Sequence, residues 1–198
     1  MNITAALPRG EKIEYELKFK IKDKKDILSR LALLGAEDLG KKKELDIYIG
    51  SADKGLRLRK YGRKGLLTYK KIVDTNIRAK VREETQTEVS DIDNLIEIFR
   101  IMGFPERKRK EKIRHTFKIG KVFVMLDKLP FMGYFIEIEA ASGASLKKAA
   151  RRLGFDPAKG RCNSYDNMFL DYYMVNAEKF KDSKSMILPT FESERRFG

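Results

Sequence analysis

Histidine and cysteine are almost missing from this 198-residue chain, which carries one of each, His115 and Cys162. One histidine excludes a histidine-rich zinc centre. One cysteine excludes an internal disulfide and fits a reducing compartment. Cys162 sits in Gly160-Arg161-Cys162-Asn163 with no histidine partner available, so a catalytic thiol is not expected. No stretch approaches the roughly 18 apolar residues of a membrane span, and Met1 to Lys12 carries no apolar signal core. The expectation is a cytoplasmic protein with no membrane partner. The chain also lacks a Gly-x-x-x-x-Gly-Lys-Ser/Thr loop, which removes one common phosphate-binding turn.

Acids are outnumbered: 29 Asp and Glu against 43 Lys and Arg leave a net charge of +14. Such a balance points to an anionic partner, either nucleic acid or a small polyphosphate. A hydrophobic content of 42% is too high for a disordered chain. The length suffices for one domain with a core. Residues 1–180 read as that domain, and residues 181–198 as a polar, flexible tail interrupted by Pro189.

Helix starts and stops are legible. Asp23 is placed to cap a helix through Ile27, Leu28, Leu31 and Leu34 that stops at Gly35. Ser90 or Asp91 begins a second, through Leu95, Ile96, Phe99 and Met102, that stops at Gly103. A third runs from about Ser145 to Leu153, and a last one from Ser164 to Phe180. Strand patterns lie near 13–20, 44–50, 55–61, 66–72, 79–89, 109–119, 121–127 and 134–140. The order strand, helix, three strands therefore occurs twice, as an internal duplication would give. Short connections favour antiparallel pairing, and eight strands can close into a barrel without free edges. The predicted class is α+β: an eight-stranded antiparallel closed barrel with helices packed outside.

The strands carry charges in phase, since alternate residues share a face. Glu14, Glu16 and Lys18 alternate with Tyr15, Leu17 and Phe19. Arg57 and Arg59, Lys70, Arg82 with Glu84 and Glu88, Lys112 and Arg114, and Glu137 and Glu139 follow the same rule. Asp127 ends an apolar run and so needs a cation partner if buried. Turned inward, these faces bring acids and bases together. A nucleic-acid groove wants cations and stacking aromatics rather than glutamates. Both signs together suit a metal–polyphosphate complex, with cations on the phosphate oxygens and carboxylates on a hard divalent ion. His115 is out of phase with Arg114 and is expected to point away from this face.

The blocks Glu14-x-Glu16-x-Lys18, Leu56-Arg57-Leu58-Arg59, Leu67-Thr68-Tyr69-Lys70, Arg82-x-Glu84, Lys112-x-Arg114 and Leu126-Asp127 through Glu137-Ile138-Glu139 occur in that order. Together with Ser164-Tyr165 they resemble the CYTH family, the triphosphate tunnel metalloenzymes. The resemblance implies an eight-stranded tunnel and Mg²⁺ or Mn²⁺ held by Glu14, Glu16, Glu84, Asp127, Glu137 and Glu139. It implies triphosphate contacts from Arg57, Arg59, Lys70, Arg82, Lys112 and Arg114, with Lys18 assisting the reaction. The block layout is most similar to the class IV adenylate cyclases, which convert ATP to cyclic AMP and pyrophosphate. The alternative is a triphosphatase acting on thiamine triphosphate, tripolyphosphate or a nucleotide. A second alternative is a non-catalytic polyphosphate- or RNA-binding module. Gln86 stands where many relatives carry an acid, Lys128 is expected to face outward, and Ser51-Ala52-Asp53-Lys54 lacks the Thr-Pro-Asp pattern of the cyclase branch. The expected partners are a nucleoside triphosphate or other triphosphate and a second copy of the chain as a homodimer. Nucleic acid is not favoured.

Overall fold

Alternating apolar and charged residues build one continuous antiparallel sheet. The computed structural model describes residues 12–13, 15–50, 56–74, 81–180 and 189–197, with side chains omitted at 12–13, 70–74, 81–84, 179–180 and 197. Its strands are β1 (Lys12–Ile13), β2 (Tyr15–Ile21), β3 (Glu37–Ile49), β4 (Leu56–Tyr61), β5 (Lys64–Asp74), β6 (Val81–Val89), β7 (Glu106–Ile119), β8 (Val122–Leu129) and β9 (Gly133–Ala140). They pair in the order β1-β6-β5-β4-β3-β7-β8-β9-β2. β1 and β2 are separated by one residue, so the two ends of that order meet in one chain segment. The sheet thereby wraps into the expected barrel, with the first of the eight expected strands in two pieces. At Lys18 the other edge of β2 is covered by Arg161, whose backbone exchanges two 2.9 Å hydrogen bonds with it.

The duplicated order is present in the fold. α1 (Lys24–Leu33) follows β2 and α2 (Ile92–Ile101) follows β6. Asp23 and Asp91 cap them, each accepting a hydrogen bond from a first-turn backbone N–H. Both end on a glycine in the left-handed region, Gly35 at φ 65° and Gly103 at φ 80°. The residue after each glycine then donates back into the last turn, Ala36 to Leu31 and Phe104 to Phe99. α3 (Gly143–Arg152), capped by Ser142, ends the same way, with Phe155 donating to Ala150.

Helices cover the outer face of the barrel. α1 and α3 bury Ile27, Leu31, Leu146, Ala150 and Leu153 against Leu17, Phe19, Val124, Leu126, Ile136 and Ile138. α2 seats Ile92, at 0% exposure, against Ile47, Ile49 and Leu58. Full burial of such a side chain stabilises by roughly 1.5–3 kcal/mol, so these two clusters fix which face of each strand is left for the interior.

α4 (Tyr165–Val175) is different. Its Met168 and Phe169 pack on Leu129 and Phe135, which are in phase with Asp127 and so belong to the inner face. α4 therefore covers one end of the interior. It stops at Val175, earlier than the helix to Phe180 expected from sequence, and a 3₁₀ turn at Ala177–Phe180 follows the Asn176 cap.

Two further differences from expectation have plain causes. β3 starts at Glu37, because residues 37–43 are held by pairing to β7 and carry exposed charge on both faces, so no alternation betrays them. The segment read as a flexible tail contains α5 (Phe191–Phe197), with residues 181–188 outside the described residues. Pro189 accepts from the Glu111 backbone N–H, Phe191 donates to the Glu111 carboxylate and Glu194 accepts from the Phe131 backbone N–H. Lys43 and Lys128 lie over the Phe191 ring at 5.9 and 5.4 Å, which also places Lys128 outward as expected. Among the described residues no helix is long and apolar enough to cross a membrane.

Candidate active site in the barrel interior

Strand register decides which charges meet. Residues opposite each other in a ladder point to the same side. β2 and β9 pair Glu16 with Glu139 and Lys18 with Glu137. β7 and β8 pair Arg114 with Asp127, and β3 pairs Glu44 with Lys112 and Asp46 with both Lys110 and Arg59. Arg57 faces Tyr48 on one side and Thr68 on the other. The in-phase charges of six strands thus converge on the interior.

Burial there is severe. Asp127 is 0% exposed, Lys18 3%, Asp46 4%, Glu137 5% and Glu44 6%. Such charges persist only when paired. Arg114 forks onto Asp127, with Nε and Nη2 at 2.7 and 2.6 Å from its two oxygens, and Nη2 also donates to Glu137 at 2.8 Å. Arg59 forks onto Asp46 at 2.7 and 2.8 Å and approaches Glu44 at 3.3 Å. Lys112 Nζ lies 3.3 Å from Glu44 and 3.8 Å from Asp127. Lys18 Nζ lies 3.0 Å from Glu16 and 3.5 Å from Glu137.

These pairings set the ionisation of the site. Burial works against charge on Glu137, but Arg114, then Lys18 and Lys112, hold its carboxyl well below the usual range. Burial likewise opposes charge on Asp46, and the Arg59 guanidinium overcomes it to keep Asp46 ionised. The two lysines diverge. Burial pushes Lys18 down, yet Glu137 and Glu16 outweigh it and its pKa rises. Burial and then the like charge of Arg114 lower Lys112 despite Asp127 and Glu44.

One group of acids is arranged for a cation. Glu16, Glu137 and Glu139 each offer an oxygen, all within 4.8 Å of one another. Glu16 and Glu139 stand directly across the β2–β9 ladder. Like charges in that position repel, and an all-carboxylate donor set suits a hard divalent ion. Asp127 stands apart, since Arg114 engages both its oxygens.

Of the residues singled out from sequence, the structure brings Glu16, Lys18, Arg57, Arg59, Lys112, Arg114, Asp127, Glu137 and Glu139 onto one interior. Glu14 lies outside the described residues, and so do the side chains of Lys70, Arg82 and Glu84. Their backbone register pairs Lys70 with Glu84 and Ile72 with Arg82, in phase with Thr68 and Gln86. His115 points away, its Nε2 at 2.8 Å from Asp38 on the outside. Sequence reasoning missed Glu44, Asp46 and Tyr48, whose alternation with Leu45 and Ile47 carried the same signal. It also missed an end cluster in which Asp166 of α4 meets Lys108 at 2.7 Å and Lys110 at 3.2 Å, with both ammonium groups over the Tyr48 ring at 4.6 and 4.8 Å.

The CYTH domain profile matches residues 12–156, spanning every strand of the barrel. The chain belongs to the CYTH family. A protein of Methanocaldococcus jannaschii named "putative adenylate cyclase" is 32% identical over 134 residues, 64% of this chain and 76% of that protein. A Pyrococcus horikoshii protein of solved structure is 30% identical with a TM-score of 0.65, over 77% of this chain and 97% of that one. A Vibrio parahaemolyticus protein described as a putative adenylate cyclase shares the fold at a TM-score of 0.67 and 19% identity, over 81% and 99% of the two chains. The CYTH match ends before α4, so Tyr165 and Asp166 come from outside it.

Proposed function

We propose that this chain is a divalent-metal-dependent enzyme that hydrolyses a triphosphate held inside the barrel. The observation that carries the reading is the group Glu16, Glu137 and Glu139 set beside buried Lys18 and partly buried Arg59, Lys112 and Arg114. The donor set fits Mg²⁺ or Mn²⁺, all hard oxygen with no sulfur or imidazole. Glu16, Glu137 and Glu139 would hold the ion, joined by Glu14, Glu84 and Asp127 as the family resemblance implies. Bound there, the ion supplies charge neutralisation for the phosphoryl oxygens.

The chain's own residues supply the rest. Arg57, Arg59, Lys70, Arg82 and Arg114 grip non-bridging oxygens. Lys18, with its raised pKa, remains a cation and stabilises negative charge rather than accepting a proton. Lys112, pushed down by burial, is the better acceptor. Water attacks the terminal phosphorus, its proton passes to Lys112 Nζ, and the bond to the bridging oxygen breaks to release orthophosphate. The buried Arg57 Nε, a donor without a partner, fits an anionic ligand, whereas the Glu44 oxygen, 3.3 Å from both Arg59 and Lys112, does not. Among the described residues the buried side-chain atoms without a hydrogen-bond partner are Glu44 Oε2, Arg57 Nε and the Tyr165 hydroxyl, all from this site.

A second reading, cyclisation of ATP by attack of its 3′-hydroxyl on the α-phosphorus, draws on the name of the M. jannaschii relative. It also draws on Phe123, paired with Glu139 on the inner face and 37% exposed, where a base could stack. Incubation with tripolyphosphate, thiamine triphosphate and ATP, each with Mg²⁺ or Mn²⁺, separates the readings by product. Orthophosphate release is expected, falling at least ~100-fold in Glu137→Gln and Glu16→Gln with the fold intact. Cyclic AMP with pyrophosphate would favour the second reading. Binding without turnover, weakening steeply with salt, would leave only a binding module.

A further inference from the structure

We propose that this chain associates with itself head to tail, the outer face of α4 in one copy seating in a groove between α3 and the β7–β8 turn of the next. The groove, of about 280 Å³, opens above the outer cluster that α1 and α3 cover. Ile119, Val122 and Ala149 lie on its apolar floor, and Lys121, Lys148 and Arg152 stand at its rim. Ile119 and Val122 pack on the cluster yet are only half-buried. Lys148 and Arg152, four residues apart, share one face of α3, a helix with no acid in its sequence. Among the described residues neither they nor Lys121 has an ion-pair partner.

α4 presents the matching surface. Met168, Phe169 and Tyr172 face the barrel. Leu170 and Asp171, with Met174 and Val175 one turn on, form a stripe along the opposite side. Leu170 is 46% exposed, Met174 67% and Val175 85%. Asp171 is exposed and has no ion-pair partner among the described residues. Three large apolar side chains turned outward on one short helix mark a docking face rather than scattered surface residues. α4 lies beyond the CYTH match, so the stripe is not part of the family domain.

Each surface supplies what the other lacks. The groove is apolar with a cationic rim, and the stripe is apolar around a carboxylate, as helix-in-groove recognition requires. Seating the stripe covers Met174 and Val175 and brings Asp171 to the cations of α3. A nucleic acid is a poorer occupant, since no aromatic ring lines the groove for a base to stack on. Groove and stripe are different patches, so the contact is heterologous, and each added copy offers both again until the assembly closes. A single helix stripe is a small contact, of the transient class below about 1,200 Å². The net charge of +14 opposes self-association, but salt near 0.15 M confines that repulsion to about 8 Å.

Sedimentation velocity at about 0.15 M salt and up to ~100 µM protein reads the assembly. The parent chain is expected to form a concentration-dependent oligomer. Lys148→Glu with Arg152→Glu reverses the groove rim, and Met174→Ser with Val175→Ser removes the apolar stripe. All four positions are exposed, so each pair should leave the unfolding midpoint within about 2 °C. Each doubly substituted chain alone is expected to be monomeric. Mixed, the two retain one intact groove and one intact stripe, and are expected to form a one-to-one dimer that grows no further. A monomeric parent overturns the proposal. So do oligomers that survive either pair of substitutions, and so does a mixture that stays monomeric, which would mean that groove and stripe do not meet. Retention of RNA or of anionic vesicles by a monomeric parent, lost in Lys148→Glu with Arg152→Glu, would give the groove to a polyanion instead.

Discussion

Removing Arg114 gives the sharpest test of how the interior is held together. The Arg114→Met variant keeps much of the side-chain length but deletes the fork that holds Asp127 at 2.7 and 2.6 Å. Asp127 has no exposed surface through which water could replace the guanidinium, and Lys112 at 3.8 Å is too long for a full partner. Breaking a buried pair from one side costs about 3–5 kcal/mol. For a chain of this size that is a fall of roughly 6–20 °C in unfolding midpoint, at about 2–4 °C per kcal/mol. The double variant Arg114→Met with Asp127→Leu removes the stranded charge as well. Apolar replacement of a whole buried pair is often neutral or stabilising by about 1–4 kcal/mol, so the double variant should be more stable than the sum of its parts. Urea and thermal unfolding of both single variants and the double measure this coupling. A loss below about 0.5 kcal/mol in Arg114→Met, or strict additivity, would refute the assignment of that pair as the interior's main internal brace.

Two further outcomes follow from named contacts. A proton acceptor must be neutral, and burial followed by Arg114 lowers the Lys112 pKa below the ordinary 10.5. Tripolyphosphate turnover should therefore rise with pH toward that value, whereas Lys112→Arg, which stays charged, should keep its affinity and lose turnover; an identical pH profile of turnover in both proteins would contradict the role given to Lys112. Gly65→Ala places a methyl against Ile92 Cδ1 and the Arg59 carbonyl oxygen, where backbone cannot yield. A destabilisation of at least ~2 kcal/mol is expected by chemical denaturation, and a neutral result would mean that β4, β5 and α2 are less tightly packed than they stand.

The barrel was legible because its strands alternate cleanly where one face is buried by helices. Leu17 and Phe19 against Glu16 and Lys18, and Ile136 and Ile138 against Glu137 and Glu139, leave little doubt about period or phase. The same alternation in Glu44 to Ile49 was readable as strand but not as site. Its acids follow Lys41, Lys42 and Lys43, and such a run reads as solvated charge until the pairing with β4 and β7 is known. Asp166 was hidden for another reason, and Tyr165 stood out only as part of the Ser164-Tyr165 resemblance. Their part in the site depends on where α4 docks, and nothing in its sequence says which end of a barrel it will cover. α5 had no signal at all beyond a short polar segment after Pro189, because its anchors, Glu111 and Phe131, are supplied by β7 and by the turn between β8 and β9.

Among the described side chains that pair in the interior the two signs balance, so these carry none of the net charge of +14. The described interior acids are Glu16, Glu44, Asp46, Asp127, Glu137, Glu139 and Asp166, and the cations Lys18, Arg57, Arg59, Lys108, Lys110, Lys112 and Arg114, equal in number. A site so balanced cannot attract an anion by excess charge; it can only exchange partners. Phosphate oxygens can take the cations only if something else takes the carboxylates, and a divalent ion can take Glu16, Glu137 and Glu139 only if Lys18 and Arg114 are drawn off them. Either guest alone leaves buried charges of one sign unpaired. The two should therefore bind cooperatively, each raising affinity for the other by the same factor. A coupling of ~10-fold or more is expected, about 1.4 kcal/mol or above. The measurement is tripolyphosphate titration across a series of Mg²⁺ concentrations, corrected for complexation of the ion by the ligand in solution. Equal affinity with Mg²⁺ and with chelator would mean that the carboxylates do not need replacing when the phosphates arrive, and the exchange account of this interior would fall.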